Sequence, residues 1–319
     1  MQAKSPDDPA SVRTPVRKLR VDDDQAGQRI DNFLRRVLPG VPKGRIYRML
    51  RKGEVRVNGG RTRAEYKLVA GDELRIPPVT LPPPGNAPSP GSVRRIEDHI
   101  LFEDKALIVV NKPSGIAVHG GSGISHGVIE LVRAARPALK DLALAHRIDR
   151  ETSGCLVLTK KRSALRRLHA QFREGQVEKN YLALIAGDWQ YGEVRLDQPL
   201  LVTNRQGGER HVIVSKKGKP AETRVRLSRR YSTSCLVQCQ PATGRTHQIR
   251  VHLADAGHPI LGDDRYGFKE ENDRVAAAGL RRLFLHAQSI SFPDESGNEQ
   301  HFVAPLTDDL ESYLATLRG

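Results

Sequence analysis

Residues 146–154 bring together side chains that could carry out chemistry. The stretch reads His-Arg-Ile-Asp-Arg-Glu-Thr-Ser-Gly, so Asp149 lies between Arg147 and Arg150. Neighbouring cations keep a carboxylate ionised, and an ionised carboxylate can act as a nucleophile or as a general base. The apolar run at residues 155–159 follows directly and predicts a buried strand that would fix this loop. The same residues could instead form a structural ion pair that anchors a turn.

The composition favours a soluble protein that binds nucleic acid. The 319 residues carry 52 Lys and Arg against 37 Asp and Glu, a net charge of +15, and 38% of residues are hydrophobic. A charge of this size favours a polyanion, and no run approaches the roughly 18 apolar residues of a membrane span. The N-terminus lacks an apolar signal core, and the three cysteines lie in apolar runs. These features predict buried free thiols in a reducing cytoplasm, with no membrane and no metal as partner.

Composition also predicts the domain organisation. Residues 1–16 are expected to be a disordered leader, and residues 17–78 a small basic module. Residues 79–93 are rich in Pro and Gly and predict an extended linker. Residues 94–319 alternate strand-like apolar runs with helical spacing. The predicted class is α+β, with a small α/β module joined to a mainly antiparallel mixed sheet that has flanking helices.

The basic module has the pattern of an RNA-binding surface. Apolar spacing predicts one helix that ends near Gly40 and a second over residues 43–52, and Asn58-Gly59 predicts a tight hairpin turn. Between residues 43 and 67 basic side chains far outnumber acidic ones, which favours phosphate contact over an ordinary solvated helix face. The predicted RNA-binding residues are Lys43, Arg45, Arg48, Arg51, Lys52 and Arg56.

The loop at residues 146–154 resembles the signature of the RluA-type pseudouridine synthases. That signature is His-Arg-Leu-Asp, two variable residues, then Thr-Ser-Gly, and here Ile148 stands where Leu is usual. Residues 17–78 resemble an S4 RNA-binding domain, and the resemblance runs from about Gly27 to the C-terminus. It implies site-specific isomerisation of uridine to pseudouridine in large-subunit (23S) ribosomal RNA, without a cofactor or a metal.

The resemblance also implies roles for individual residues. Asp149 would be the essential carboxylate, and Tyr181 in the Lys-Asn-Tyr-Leu-Ala strand would pack on the target base and could assist proton removal at C5. Arg250, in the run Thr-Gly-Arg-Thr-His-Gln-Ile-Arg, would pair with Asp149 and is predicted to be catalytic with it. Arg147 would enter the RNA where the flipped uridine had been stacked. The other predicted substrate-binding residues are Arg150, Thr152, Arg245, His247 and Leu285.

Some of these residues have ordinary structural alternatives. By itself Tyr181 would be a half-buried strand residue, and Arg245 and Arg250 would be surface cations. Thr246 is a plausible N-cap for a helix that carries His247 and His252, and their spacing of five places them off a common helical face, which argues against zinc. Lys112, in the turn Asn-Lys-Pro-Ser-Gly, is expected to be structural.

Three other functions remain open from the sequence. The chain could isomerise uridine in a different structured RNA. It could be a glycosidase that uses Asp149 and Glu151 as a carboxylate pair on a flipped base. It could also be an S4-type RNA-binding protein or ribosome assembly factor without enzymatic activity, although that leaves the loop at residues 146–154 unexplained.

Overall fold

The structure is a computed structural model that describes residues 12–81, 87–120, 126–204 and 210–318. Contacts between Cα atoms divide the chain into two compact units, Met1–Ala87 and Pro88–Gly319. This division falls within the stretch predicted as a linker. The sequence Gly-Gly-Ser-Gly at residues 120–123 predicts a flexible loop, which lies outside the described residues except for Gly120.

The first unit packs two helices on a four-stranded antiparallel sheet in the order β2-β5-β3-β4, and β1 pairs separately with β6. Both predicted helices form, and each stops near a glycine in the left-handed region, Gly40 (φ 81°) and Gly53 (φ 69°). Asn58 and Gly59 form the predicted hairpin turn. The elements are β1 Val12–Arg13, β2 Arg17–Arg20, a 3-10 turn Asp23–Gln25, α1 Ile30–Val37, α2 Lys43–Lys52, β3 Arg56–Val57, β4 Gly60–Arg61, β5 Glu73–Ile76 and β6 Thr80–Leu81.

Two predictions about the ends of this unit need correction. The leader was expected to be disordered to residue 16, but β1 pairs with β6, and Thr14 N–H donates to the carbonyl of Val79 (2.8 Å). The linker was expected to stay extended to residue 93, but a helix starts at Pro90. Ser89 caps that helix by accepting from the N–H of Ser92, and proline is favourable in a first helical turn. Residues 82–86 of the predicted linker lie outside the described residues.

The second unit is built around one large sheet. Its main path is β12-β15-β16-β11-β17-β10-β8-β7, with β18 paired to β17 and β9 paired to β10. A separate hairpin joins β13 and β14. The elements are α3 Pro90–Glu97, β7 Ile100–Glu103, β8 Leu107–Lys112, α4 Val128–Ala135, β9 Ala143–Leu144, β10 Ser153–Thr159, α5 Arg162–Glu174, β11 Glu178–Ala186, β12 Glu193–Leu196, β13 Leu200–Asn204, β14 Arg210–Val214, β15 Thr223–Arg230, β16 Ser234–Pro241, α6 Gln248–Asp255, α7 Lys269–Ala277, β17 Leu285–Pro293, β18 Glu299–Val303 and α8 Asp308–Thr316.

The pairings in this sheet confirm the predicted class. Within the described strands, β10 and β17 pair in parallel and the other pairings in the sheet are antiparallel. The centre of the sheet is apolar on both faces, and β8 and β10 are buried along their whole length. Strand β10 therefore gives the loop before it a rigid base.

The cysteines are as predicted. Cys155, Cys235 and Cys239 are buried and free, and burial raises the pKa of the Cys155 thiol to about 12. In the parts of the chain that the structure describes, no helix combines the length and apolar character needed to cross a bilayer.

Candidate active site

A cavity of about 350 Å³ opens in the second unit, which is within the usual size range of small-ligand sites. Three segments supply most of its lining: the loop before β10, the first half of β11, and the connection from β16 into α6. Phe172 on α5 and Leu285 on β17 complete it. Of the predicted catalytic and substrate-binding residues, all but Arg150 lie on its wall. These are Arg147, Asp149, Thr152, Tyr181, Arg245, His247, Arg250 and Leu285.

The loop that carries Asp149 is fixed through its main chain. Lys112 is fully buried, and its ammonium group donates to the carbonyls of Pro113 (2.8 Å), Ile116 (2.8 Å) and Arg150 (2.9 Å). Gly115 N–H also donates to the Arg150 carbonyl, at 2.9 Å. Burial lowers the pKa of Lys112 to about 7, while three carbonyl acceptors favour the charged form that donates to all of them. Lys112 therefore acts as the structural residue that the sequence predicted.

Two further contacts complete this support. Ser114 Oγ donates to the carbonyl of Glu151 (2.6 Å), so both residues after Asp149 are held by backbone oxygens. Gly154 has φ 110°, and a Cβ atom there would lie 2.2 Å from the carbonyl oxygen of Ala287 on the parallel strand β17. A side chain at residue 154 would both clash and strain the backbone. This explains the glycine in the sequence pattern.

His146 belongs to the same support and is not placed for acid–base chemistry. Its Nε2 accepts a hydrogen bond from Val157 N–H at 3.0 Å, which requires that nitrogen to be unprotonated. The ring packs near Phe172, with centroids 5.5 Å apart. Burial lowers the pKa of His146 to about 3, with a smaller contribution from the charge of Lys179. His146 is therefore neutral across the physiological range.

Asp149 faces two donors from the α6 region. Its Oδ2 lies 3.7 Å from Arg250 Nη1 and 4.0 Å from His247 Nε2. The predicted pairing of Arg250 with Asp149 is therefore present, but it is not the principal contact of this guanidinium. Arg250 Nε and Nη2 donate to the two oxygens of Asp263, each at 2.7 Å, and both side chains are buried. This fork holds Arg250 so that its remaining Nη1 points toward Asp149.

Asp263 is a site residue that the sequence did not identify. Its Oδ1 also accepts from the N–H of Arg265 (2.9 Å) and of Tyr266 (3.1 Å), so one buried carboxylate organises a tight turn. Gly262 before it has φ 76°, and a Cβ there would lie 2.0 Å from the carbonyl oxygen of Arg282. The run Leu-Gly-Asp at residues 261–263 carries no local signal that would place it beside Arg250.

Tyr181 and Leu285 lie on neighbouring strands and both line the cavity. Burial raises the pKa of the Tyr181 hydroxyl, and the negative charge of Asp149 raises it further. Tyr181 therefore remains a phenol. This favours packing against a base over proton removal by a phenolate, which was the second predicted role of this residue.

Arg150 does not line the cavity with the other predicted substrate-binding residues; its guanidinium is paired with Glu151 at 2.9 Å, and both side chains are largely exposed. The prediction that Thr246 caps α6 is wrong, because the helix begins at Gln248 with His247 in the cap position. His247 has φ 52° and ψ 22°, a left-handed conformation that costs free energy in a residue other than glycine.

The sequence analysis also missed two residues that line the cavity, Lys179 and Gln248. Lys179 lies two positions before Tyr181 and lines the cavity, and burial lowers its pKa to about 8. Gln248 accepts from Thr243 Oγ1 (2.6 Å) and from Arg245 N–H (3.0 Å), which fixes the connection from β16 to α6. His252 lies within α6 and bonds Thr223 and the Gln198 carbonyl, whereas His247 lies outside the helix in the cap position. Among the described residues no group of three or more potential ligands could hold a metal ion.

The predicted RNA-binding residues of the first unit differ in availability. Lys43, Arg48, Arg51 and Lys52 are exposed on α2, whereas the Arg45 guanidinium is paired with Glu54 at 2.8 Å. Arg56 donates to the Gly59 carbonyl at 3.0 Å. A groove of about 950 Å³ lies along this face and is rimmed by arginines and two tyrosines. Its lining includes Tyr47, Arg51, Arg61, Arg63 and Tyr66.

Comparisons with known proteins agree with this geometry. Residues 106–255 match the family model described as RNA pseudouridylate synthase, and residues 28–74 match the S4 domain. A protein of Haemophilus ducreyi named ribosomal large subunit pseudouridine synthase C is 53% identical over 313 residues, covering 97% of this chain and 98% of that protein. The chain belongs to the RNA pseudouridylate synthase family. The synthase is also 52% identical over 315 residues to the Escherichia coli protein of the same name, covering 97% of this chain and 99% of that one.

Solved structures show the same fold. The human protein titled RNA Pseudouridylate Synthase Domain Containing 4 is 27% identical, with a TM-score of 0.58, and the match covers 70% of the synthase and 94% of that chain. Human RNA Pseudouridylate Synthase Domain Containing 1 has the same TM-score at 26% identity, with 71% and 90% covered. Among the described residues that line the cavity of the synthase, Asp149 is the one carboxylate. Glu151 does not join it, so the carboxylate pair that a glycosidase would need is not formed there.

Proposed function

We propose that the synthase isomerises specific uridines of large-subunit ribosomal RNA to pseudouridine, with Asp149 acting on the ribose of a flipped-out nucleotide. The observation that carries this proposal is the placement of Asp149 at the wall of a nucleoside-sized cavity, with Arg250 and His247 facing its Oδ2. The ribosomal substrate is supported by the names of relatives that match almost the full length of the chain.

The chemistry follows from what a single ionised carboxylate can do. The bond between uracil N1 and ribose C1′ breaks, the uracil turns, and C5 forms a new bond to C1′. The proton leaves C5 and N1 gains one, so the RNA keeps its mass. Asp149 starts this sequence by attack on C1′ or by removal of the C2′ proton, and both routes need it unprotonated. Deuterium at C2′ separates them, because only the second route breaks that bond.

The remaining cavity residues bind and orient the nucleoside. A uridine must leave its stack to enter, which costs a few kcal/mol. Tyr181 and Leu285 present an apolar wall against which the flipped base packs. Arg147 is exposed at the cavity and takes the place of the base in the RNA, because a planar guanidinium can stack and bind phosphate at once. The basic face of the first unit adds contacts to the RNA backbone, and the reaction belongs to the cytoplasm, where ribosomes are assembled.

Asp149→Asn tests the assignment directly. We expect pseudouridine formation to fall by at least about 100-fold, because the amide can serve neither as nucleophile nor as base, while RNA affinity stays within twofold, roughly the scatter of such a measurement. Glu151→Gln is the matched control, because Glu151 lies in the same loop, is paired with Arg150 and does not line the cavity. Sites are read by pseudouridine mapping of ribosomal RNA from cells that carry each variant. A fully active Asp149→Asn protein would reject the assignment.

The same samples separate the alternatives. Release of free uracil with loss of RNA mass would indicate a glycosidase. Pseudouridine missing from a transfer RNA, with large-subunit RNA unchanged, would keep the enzyme class but replace the substrate. Unchanged RNA in all fractions, with ribosome assembly impaired, would indicate a binding protein.

A further inference from the structure

His247 is unusual in both its main chain and its side chain. Its left-handed backbone (φ 52°) places the imidazole at the cavity wall, where Nε2 lies 4.0 Å from Asp149 Oδ2. Strained conformations of this kind persist when surrounding contacts hold them, and they concentrate at functional sites. A contact that fixes this side chain should therefore exist, and Tyr266 provides it.

Tyr266 holds the opposite edge of the same ring. Its hydroxyl lies 2.8 Å from His247 Nδ1 and accepts from Val212 N–H at 3.1 Å. The phenol ring is itself fixed, since it stacks on His211 (centroids 5.2 Å apart, 25° between planes) and the Arg250 guanidinium lies 5.1 Å from its centroid. The donor that faces Nδ1 is therefore preorganised.

These contacts select one form of the imidazole. A neutral histidine carries one proton, on Nδ1 or on Nε2, and its two neighbours decide which. The Tyr266 hydroxyl can give its proton to Nδ1, whereas the Asp149 carboxylate can only accept, so the proton is favoured on Nε2. Burial lowers the pKa of His247, as do Arg250 and Arg265, while Asp149 and Asp263 raise it.

We propose that Tyr266 is a positioning residue that holds His247 as the Nε2–H tautomer, so that His247 and Arg250 both donate toward Asp149 Oδ2. Oδ1 is then the oxygen left to act on the ribose. The separations of 3.7 and 4.0 Å are long for hydrogen bonds, and we expect them to shorten when a nucleotide closes the cavity. This inference rests on the proposed role of Asp149.

Tyr266→Phe removes only the hydroxyl and keeps the ring that packs between His211 and Arg250. The tautomer of His247 is read in the RNA-free protein from long-range ¹H–¹⁵N correlation spectra, with its signals assigned by their loss in His247→Gln. We expect Nε2–H alone in the wild type and a mixture of tautomers in Tyr266→Phe. The single-turnover rate should fall about tenfold, the effect of losing one hydrogen bond, with RNA affinity unchanged.

Tyr231→Phe is the control, because Tyr231 is buried elsewhere in the second unit and does not line the cavity. It should change neither tautomer nor rate. Tyr266→Phe with an unchanged tautomer, or with a wild-type rate, would overturn the inference while leaving the role of Asp149 intact. A wild-type protein that forms no pseudouridine would instead reject the proposed function, and the tautomer would still be measurable.

Discussion

At the scale of single residues, the two carboxylates of the site differ in how far they are buried. Asp149 is partly exposed at the cavity, whereas Asp263 behind it is buried and holds Arg250 through two hydrogen bonds. The two carboxylates therefore have different tasks. Asp263 fixes the Arg250 guanidinium, and Asp149 keeps one side open to the cavity.

Arg147 gives the most direct prediction at this scale. Arg147→Ala should lower the single-turnover rate roughly 10- to 100-fold, because unstacking a uridine costs a few kcal/mol that the guanidinium no longer offsets. Arg147→Lys should recover only part of the loss, since an ammonium cannot stack. The rate is measured on a stem-loop that carries the target uridine.

A suitable control is Arg281→Ala, since Arg281 is exposed and lies outside the cavity lining. Equal rates for Arg147→Ala and the wild type would remove the proposed role.

At the scale of elements, the sequence predicted most of the helices and strands but few of the side-chain contacts between them. The helix at Lys43–Lys52 and strand β10 follow from local apolar spacing and were predicted closely. Tyr181 was predicted as a site residue only through resemblance, because by itself it is an ordinary strand tyrosine. Asp263 and Tyr266 were missed since their partners lie 13 and 19 positions away, and no local pattern encodes such a pairing.

Thr246 shows a different reason for failure. A threonine before an apolar run favours an N-cap, but the contacts of His247 with Tyr266 and Asp149 move the start of the helix by one residue. Tertiary contacts thus override the local preference.

Because the Lys112 ammonium group holds the Asp149 loop by hydrogen bonds, we expect Lys112→Met to lose both stability and activity. The methionine fills the space but leaves buried carbonyls without a donor, which should lower the free energy of unfolding by about 1–3 kcal/mol. The turnover rate should fall because the Arg150 carbonyl keeps only the N–H of Gly115 as a donor, which holds the loop less firmly. Urea unfolding and steady-state rates check this, with the exposed Lys140→Met as control. Full activity at reduced stability would show that Lys112 contributes to folding but is not needed to position Asp149.

The lowered pKa of His146 predicts that the stability of the folded protein depends on pH. Its pKa is about 3 in the folded protein and about 6.5 when unfolded, so the unfolded chain binds a proton that the folded chain does not. Its contribution to stability is fully present above pH 6.5 and is lost as the pH falls toward 3. His146→Gln keeps an acceptor for Val157 N–H without titrating. The stability of the wild type relative to this variant should therefore fall between about pH 7 and about pH 5 in urea unfolding, and a constant difference would contradict the argument.

At the scale of the whole molecule, we propose that both units contribute to RNA binding, the first through its basic surface and the second through the cavity. The first unit carries exposed cations on α2, and the second carries the cavity. A triple variant, Arg48→Ala, Arg51→Ala and Lys52→Ala, should weaken binding to structured ribosomal RNA. The slope of log binding constant against log salt concentration should also become shallower, by about one unit for each phosphate that is no longer neutralised.

The turnover rate at saturating RNA should stay near that of the wild type, because these cations do not line the cavity. Arg45→Ala should change the slope less, since Arg45 is already paired with Glu54. Filter binding at several salt concentrations checks both expectations. A triple variant with the wild-type slope would place RNA binding elsewhere.

The anchoring of the Asp149 loop has a consequence for how this protein can evolve. Lys112, Gly115 and Ser114 hold the carbonyls of residues 150 and 151, which every amino acid possesses. The side chains at those two positions are therefore free to drift while the carboxylate stays where it is. Deep mutagenesis should record broad tolerance there, between neighbours that accept almost no replacement.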